Sequence, residues 1–144
     1  MAVIKLVPQQ IPVFWEAIKA ATTRADEVDA KDYPVYLNKM LHDLLNDKNQ
    51  CFVRLTAERV LASILVTQLD DDLLSGKKLL RIKTLYSWQP VAPTEWQEDF
   101  KFLRDFAARE KCSRILFDSR NARVQELGAS LGFKEVTRSF VLEI

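Results

Sequence analysis

Only three glycines, five prolines, two cysteines and one histidine occur among the 144 residues. So little glycine and proline excludes a fibrous or low-complexity chain, and 48% hydrophobic against 28% charged residues is the composition of an ordinary folded globule. Cys51 and Cys112 are far apart and lack metal-ligand spacing, so two reduced thiols in a cytoplasmic protein are expected. His42 has no cysteine, histidine or carboxylate cluster at ligand spacing beside it, and Asp70 to Asp72 lack the glycine and later glutamate of a calcium loop. No metal site is expected.

Charge of one sign is also missing. Lys and Arg total 21 against 20 Asp and Glu, a formal charge of +1, which provides no general field for nucleic acid or anionic lipid. Arg114, Arg120 and Arg123 form a small basic cluster but no stripe along a face. No stretch approaches the ~20 apolar residues of a membrane span, and the N-terminus lacks a long h-region and a small-residue cleavage site. The expectation is one domain over residues 1–144 with no nucleic acid, no membrane and no secretion by that route.

What the sequence does contain is a sharp alternation of periods. Ala2 to Val7 reads as a strand; from Ile11, the apolar residues Phe14, Trp15, Ile18 and Ala21 fall at helical spacing. A second helix is expected from a cap at Asp32, with Pro34 in its first turn. "CFVRL", "VLASILVTQL" and "LLRIKTLYSW" are three strands of a meander. Thr94 and Gln97 have capping-box spacing ahead of a helix that carries Trp96, Phe100, Leu103 and Phe106 on one side. "RILFDS" is a short strand, Asn121 caps a last helix that stops at Gly132, and Val136, Phe140, Leu142 and Ile144 suggest a final strand. The order β-α-α-β-β-β-α-β-α-β predicts an α/β fold with a mixed, mostly antiparallel central sheet and helices on both faces.

The stretch "LYSWQPVAPTEW" joins a strand to a helix, a position where successive backbone N–H groups and the helix N-terminus can hold a phosphate. It has no glycine, and Pro90 and Pro93 remove two N–H donors. Trp88, beside these prolines, is a candidate anchor for a protein partner.

The last helix, "NARVQELGASLGF", with Asn121 and the Gly132-Phe133 pair, resembles the GNAT superfamily of acyl-CoA-dependent N-acetyltransferases, as does the element order. The resemblance implies that the loop after the third meander strand holds the CoA pyrophosphate, which places Ser87, Gln89, Ala92, Thr94 and Asn121 in cofactor-binding positions. The family's proton-donating tyrosine falls at Gly128, so Tyr86 and Ser119 are the substitutes, and Asp118 is the carboxylate nearest the family's cleft. The sequence is also similar to GNAT-like proteins of tailed bacteriophages and prophages, which implies a particle or assembly component and a virion-associated location. The resulting expectation is a GNAT-fold protein with a degraded acetyl-CoA site, acting without a cofactor as a binding or structural module for a protein partner and able to form homo-oligomers. The alternative is an atypical acetyl-CoA-dependent N-acetyltransferase acting on an amine.

Overall fold

The β-branched run at the centre of the chain explains the sheet. In the computed structural model, which describes residues 2–26 and 28–144, "NQCFVRL" forms β2 (Asn49–Leu55) and "LASILVTQLDD" forms β3 (Leu61–Asp71). Both are buried on their two faces over most of their length, the pattern of strands covered on either side. Side chains alternate between the two covers. Cys51, Val53, Ile64 and Val66 point to one cluster, and Phe52, Leu65, Leu80 and Ile82 to the other.

The first cover is a pair of helices, α1 (Ile11–Ala25) and α2 (Tyr33–Leu45), which contribute Ile11, Ile18, Ala21, Met40 and Leu44. The second is α3 (Pro93–Arg109), whose Phe100, Leu103, Phe106 and Ala107 recur at helical spacing. Phe106 meets Phe52 edge-on at 5.4 Å. The remaining elements are β1 (Ala2–Lys5), β4 (Lys78–Ser87), β5 (Arg114–Phe117) and α4 (Ala122–Ser130). The sheet runs β1-β2-β3-β4-β5, antiparallel except for the parallel β4–β5 pair. This is the mixed sheet with helices on both faces that the sequence order predicts.

Burial shapes the two thiols as well. Both cysteines are free, and burial alone pushes the Cys51 thiol up to about 12, so it behaves as a small core hydrophobe.

Three local expectations are corrected. Asp32 precedes α2 but has helical backbone angles and makes no side-chain cap bond, because a short 3-10 turn, Ala30–Asp32, feeds directly into the helix. The capping residue of α3 is Ala92 rather than Thr94, since Pro93 takes the first helical position, where its fixed φ and missing N–H fit. Glu95 then closes the turn by accepting the Ala92 N–H on Oε1 at 3.0 Å. Finally, the segment from Phe133 to Ile144 forms no strand: it has no ladder partner among the described residues, and Phe140 is 90% exposed.

The end of α4 does follow expectation. Gly132 adopts φ +96°, and Phe133 N–H reaches back to Gly128 O at 2.9 Å, a Schellman-type stop. Gly132→Ala forces a Cβ into that conformation and is expected to lower stability by about 1–2 kcal/mol in a urea titration.

Candidate functional site

The site begins with one extra residue. Val66 pairs with Thr84 and Thr67 with Ile82, so Lys83 is a β-bulge in β4. On the other edge of β4, pairing with β5 ends at Ile82–Phe117, yet β4 continues to Ser87 while the chain leaves β5 toward α4. The two strands therefore diverge just beyond the bulge. A shallow open cleft fills the gap, with walls from Ile82 and Leu85 of β4, Phe117, Phe100 of α3, and Leu127 and Leu131 of α4. Its polar margin carries Lys83, Asp118 and Ser119, and Ala25 at the end of α1 closes one side.

A carboxylate stands beside the bulge. Asp26, directly after Ala25, accepts hydrogen bonds from Thr84 Oγ1 at 2.8 Å and from the Tyr36 hydroxyl. Burial raises the Asp26 carboxyl above the ordinary aspartate value despite both bonds. Tyr36 is held well above the usual phenol range by burial and by Asp26. The Lys83 ammonium lies over the Tyr36 ring, 5.1 Å from its centroid, and burial lowers its pKa. The end of α1, helix α2 and strand β4 thus bring a half-buried acid, a phenol and a lysine together at the bulge, and of the three Lys83 also lines the cleft.

No family model matches the sequence, and no curated protein matches it. Solved structures do match over the full length. A protein described as a "probable acetyltransferase" superposes with a TM-score of 0.75 at 15% identity, covering 100% of this chain and 98% of its own. The aminoglycoside 6'-N-acetyltransferase AAC(6')-Ih from Acinetobacter baumannii gives 0.74 at 11%, covering 99% and 97%. The ribosomal-protein-alanine N-acetyltransferase from Brucella melitensis gives 0.68 at 10%, covering 100% of both. This chain has the GNAT fold. Within that GNAT frame the bulge at Lys83 and the parting of β4 from β5 are the features that open the sheet.

The residues singled out in the sequence are distributed unevenly around the GNAT cleft. Asp118 and Ser119 line it. Asp118 is ion-paired with Arg81 Nη1 at 2.7 Å and its side chain is 73% exposed. Ser119 is tied into the first turn of α4, accepting Asn121 N–H on Oγ at 3.0 Å and Gln125 Nε2 on its carbonyl at 2.7 Å. Asn121 caps α4, its Oδ1 accepting from the N–H groups of Arg123 and Val124. Gly128 does line the cleft, and a Cβ there would stand 2.6 Å from Phe117 Cζ, so the Phe117 ring fills the space next to it.

Tyr86 packs instead against the α1/α2 cluster, where Arg24 Nη1 donates to its hydroxyl at 3.4 Å. Trp88, 36% exposed, meets the Tyr86 ring edge-on at 5.1 Å. Ser87, Gln89, Ala92 and Thr94 lie along the β4–α3 connection and do not line the cleft. In that connection Pro90 and Pro93 have no N–H, Ala92 donates to Glu95, and Glu95 donates to Ala92 O at 2.9 Å. The Ala92 N–H is thereby taken, and the Glu95 carboxylate occupies the positive end of α3.

Asp26 and Tyr36 were not legible as site residues. The third meander strand carries Arg81 and Lys83 but no carboxylate, and only packing brings Asp26, 58 residues away from Thr84 in sequence, to it. Among the described residues no cluster of His, Cys, Asp or Glu could hold a metal ion, and no helix is long and apolar enough to cross a membrane.

Proposed function

We propose that this chain transfers an acyl group from an acyl-CoA thioester to an amine. The observation that carries the reading is the divergence of β4 and β5 beyond Ile82 and Phe117, which leaves an apolar slot open between two strands of an otherwise closed sheet. Acetyltransferases are what the superposed solved structures are named for. Ile82, Leu85, Phe117, Leu127 and Leu131 suit an acyl-bearing pantetheine arm, excluding water from its thioester end. An amine must shed a proton to form an amide. Asp26, buried enough to hold a raised pKa and placed by Thr84 next to Lys83, is the group that accepts it. With glycine at 128 there is no tyrosine to protonate the departing thiolate, which lowers the rate without abolishing attack by a positioned amine.

A second reading, a non-catalytic binding module, is favoured by one feature, the β4–α3 connection. Its prolines and the Glu95 carboxylate weaken the hold on a pyrophosphate.

Thermal melts with millimolar acetyl-CoA, and with CoA and ATP as controls for generic phosphate binding, separate the two. Acyl-CoA at a hundred times its dissociation constant stabilises the native state by about 2.7 kcal/mol. A rise specific to acetyl-CoA, followed by thiol release with an amine panel, is the expected result. A melting temperature unmoved by acetyl-CoA leaves the non-catalytic module.

A further inference from the structure

One amine already stands at the cleft. Lys83 is the extra residue of β4, and its bulge lies where β4 parts from β5, so it lines the same opening as Ile82, Leu85 and Phe117. The side chain is half-buried, with its ammonium over the Tyr36 ring, 5.1 Å from the centroid.

A lysine this far from water is normally held by a carboxylate, and here the acids around it are engaged elsewhere. Asp43 pairs with Lys39 at 2.8 Å, Asp70 and Asp118 pair with Arg81 at 3.1 and 2.7 Å, and Asp26 takes its hydrogen bonds from Thr84 and Tyr36. Lys83 itself makes no ion pair among the described residues. Burial lowers its pKa and outweighs Asp26, Asp43 and Asp70, which favour the ammonium, while Lys39 opposes it. Such a lysine gives up its proton more readily than one on the surface, and the neutral amine is the nucleophile.

We infer that Lys83 is itself a modification site, its amine taking the acyl group from the acyl-CoA held in the cleft of the same chain. This rests on the acyl-transfer reading above. The flexible four-carbon stem lets the amine swing from the Tyr36 ring to the opening between the strands. The neutral amine attacks the thioester carbonyl carbon, a C–N bond forms, and the C–S bond breaks with its electron pair going to sulfur. Of the two protons that the nitrogen sheds between ammonium and amide, one ends on the CoA sulfur and the other passes by way of Asp26 to water. The products are an N-acyl-lysine and free CoA thiol. An amide does not hand its acyl group on, so the product is an end point rather than an intermediate. It removes the charge beside Asp26 and fills the place of an acceptor amine, so a chain given acyl-CoA without an acceptor silences itself.

Incubating the intact chain with acetyl-CoA and no amine, and following each lysine by peptide mass spectrometry, tests this; melting curves on the same samples report whether acetyl-CoA binds. Lys83 should be acetylated first, at a rate per molecule independent of protein concentration, well ahead of the exposed Lys31 and Lys134. In urea that lead should vanish, because the fold creates it. Asp26→Asn should slow labelling of Lys83 by roughly 10²–10⁴-fold and leave that of Lys31 and Lys134 unchanged. Lys83→Arg, which keeps the charge, should remove the early singly acetylated product. Lys83 labelled no faster than Lys31, while acetyl-CoA raises the melting temperature, overturns the inference and leaves the acyl-transfer reading standing. The same labelling with an unmoved melting temperature overturns both. A rate per molecule that climbs with protein concentration marks transfer between copies and also counts against it.

Discussion

Asp26→Asn is expected to slow acyl transfer by roughly 10²–10⁴-fold while leaving the melting temperature at neutral pH unchanged or higher. The two effects part because of the sign of the shift. Burial raises the folded-state pKa of Asp26 above its unfolded value, despite hydrogen bonds from Tyr36 and Thr84. The stability linked to this group is therefore fully present below the unfolded pKa and is lost as pH rises through the folded one. Where it is ionised, the buried carboxylate is a net cost that asparagine, of the same shape, does not carry; its oxygen keeps one of the two hydroxyl donors, and its Nδ2 donates to the other hydroxyl once that group turns to accept. The wild-type rate should climb with pH through the raised Asp26 pKa, and the variant's profile should lose that limb. A purely structural Asp26 would give a different pair of results, with melting temperature and activity falling together.

Arg54→Ala carries the largest expected loss of stability, about 3–5 kcal/mol in urea unfolding, because it empties a buried arginine site and strands the Asp99 carboxylate, itself only 10% exposed. The Arg54 side chain is 2% exposed; its Nε donates to Asp99 Oδ1 at 2.8 Å, and its guanidinium also reaches Glu95 at 3.4 Å and Glu98 at 3.3 Å. One strand residue thus holds the first two turns of α3 to the sheet. Burial raises the Asp99 carboxyl even with Arg54 beside it, so in the variant this group is driven further toward its protonated form. The deficit should consequently shrink toward acidic pH. Arg54→Met combined with Asp99→Leu should recover most of the loss, since apolar groups of similar volume often replace a buried ion pair without penalty. A single Arg54→Ala loss below 1 kcal/mol would show that the network is solvated in solution.

The same contrast between local pattern and assembled environment separates what was legible in the sequence from what was not. The two helices over one sheet face, the three-stranded meander and α3 follow from periods of 3.6 and 2 that neighbouring residues write directly. Asn121 and Gly132 are visible because a cap and a left-handed stop each need a particular residue type. Ala92 was not visible as a cap, because proline geometry at the next position overrode the preference for threonine. Residues 134–144 have a strand's alternation, but alternation states only that a face needs covering, not what covers it.

The sequence by itself determined the order of elements as far as α4, the near-neutral overall charge, the lack of metal-ligand spacing and the proline-rich connection after β4. Tertiary structure alone decided the bulge at Lys83, the parting of β4 from β5 and the meeting of Asp26, Tyr36 and Thr84. Those depend on which strand edges pair and where pairing stops, and on the burial that shifts a carboxyl's pKa. Both are set by contacts between residues far apart in the chain, which no local pattern records.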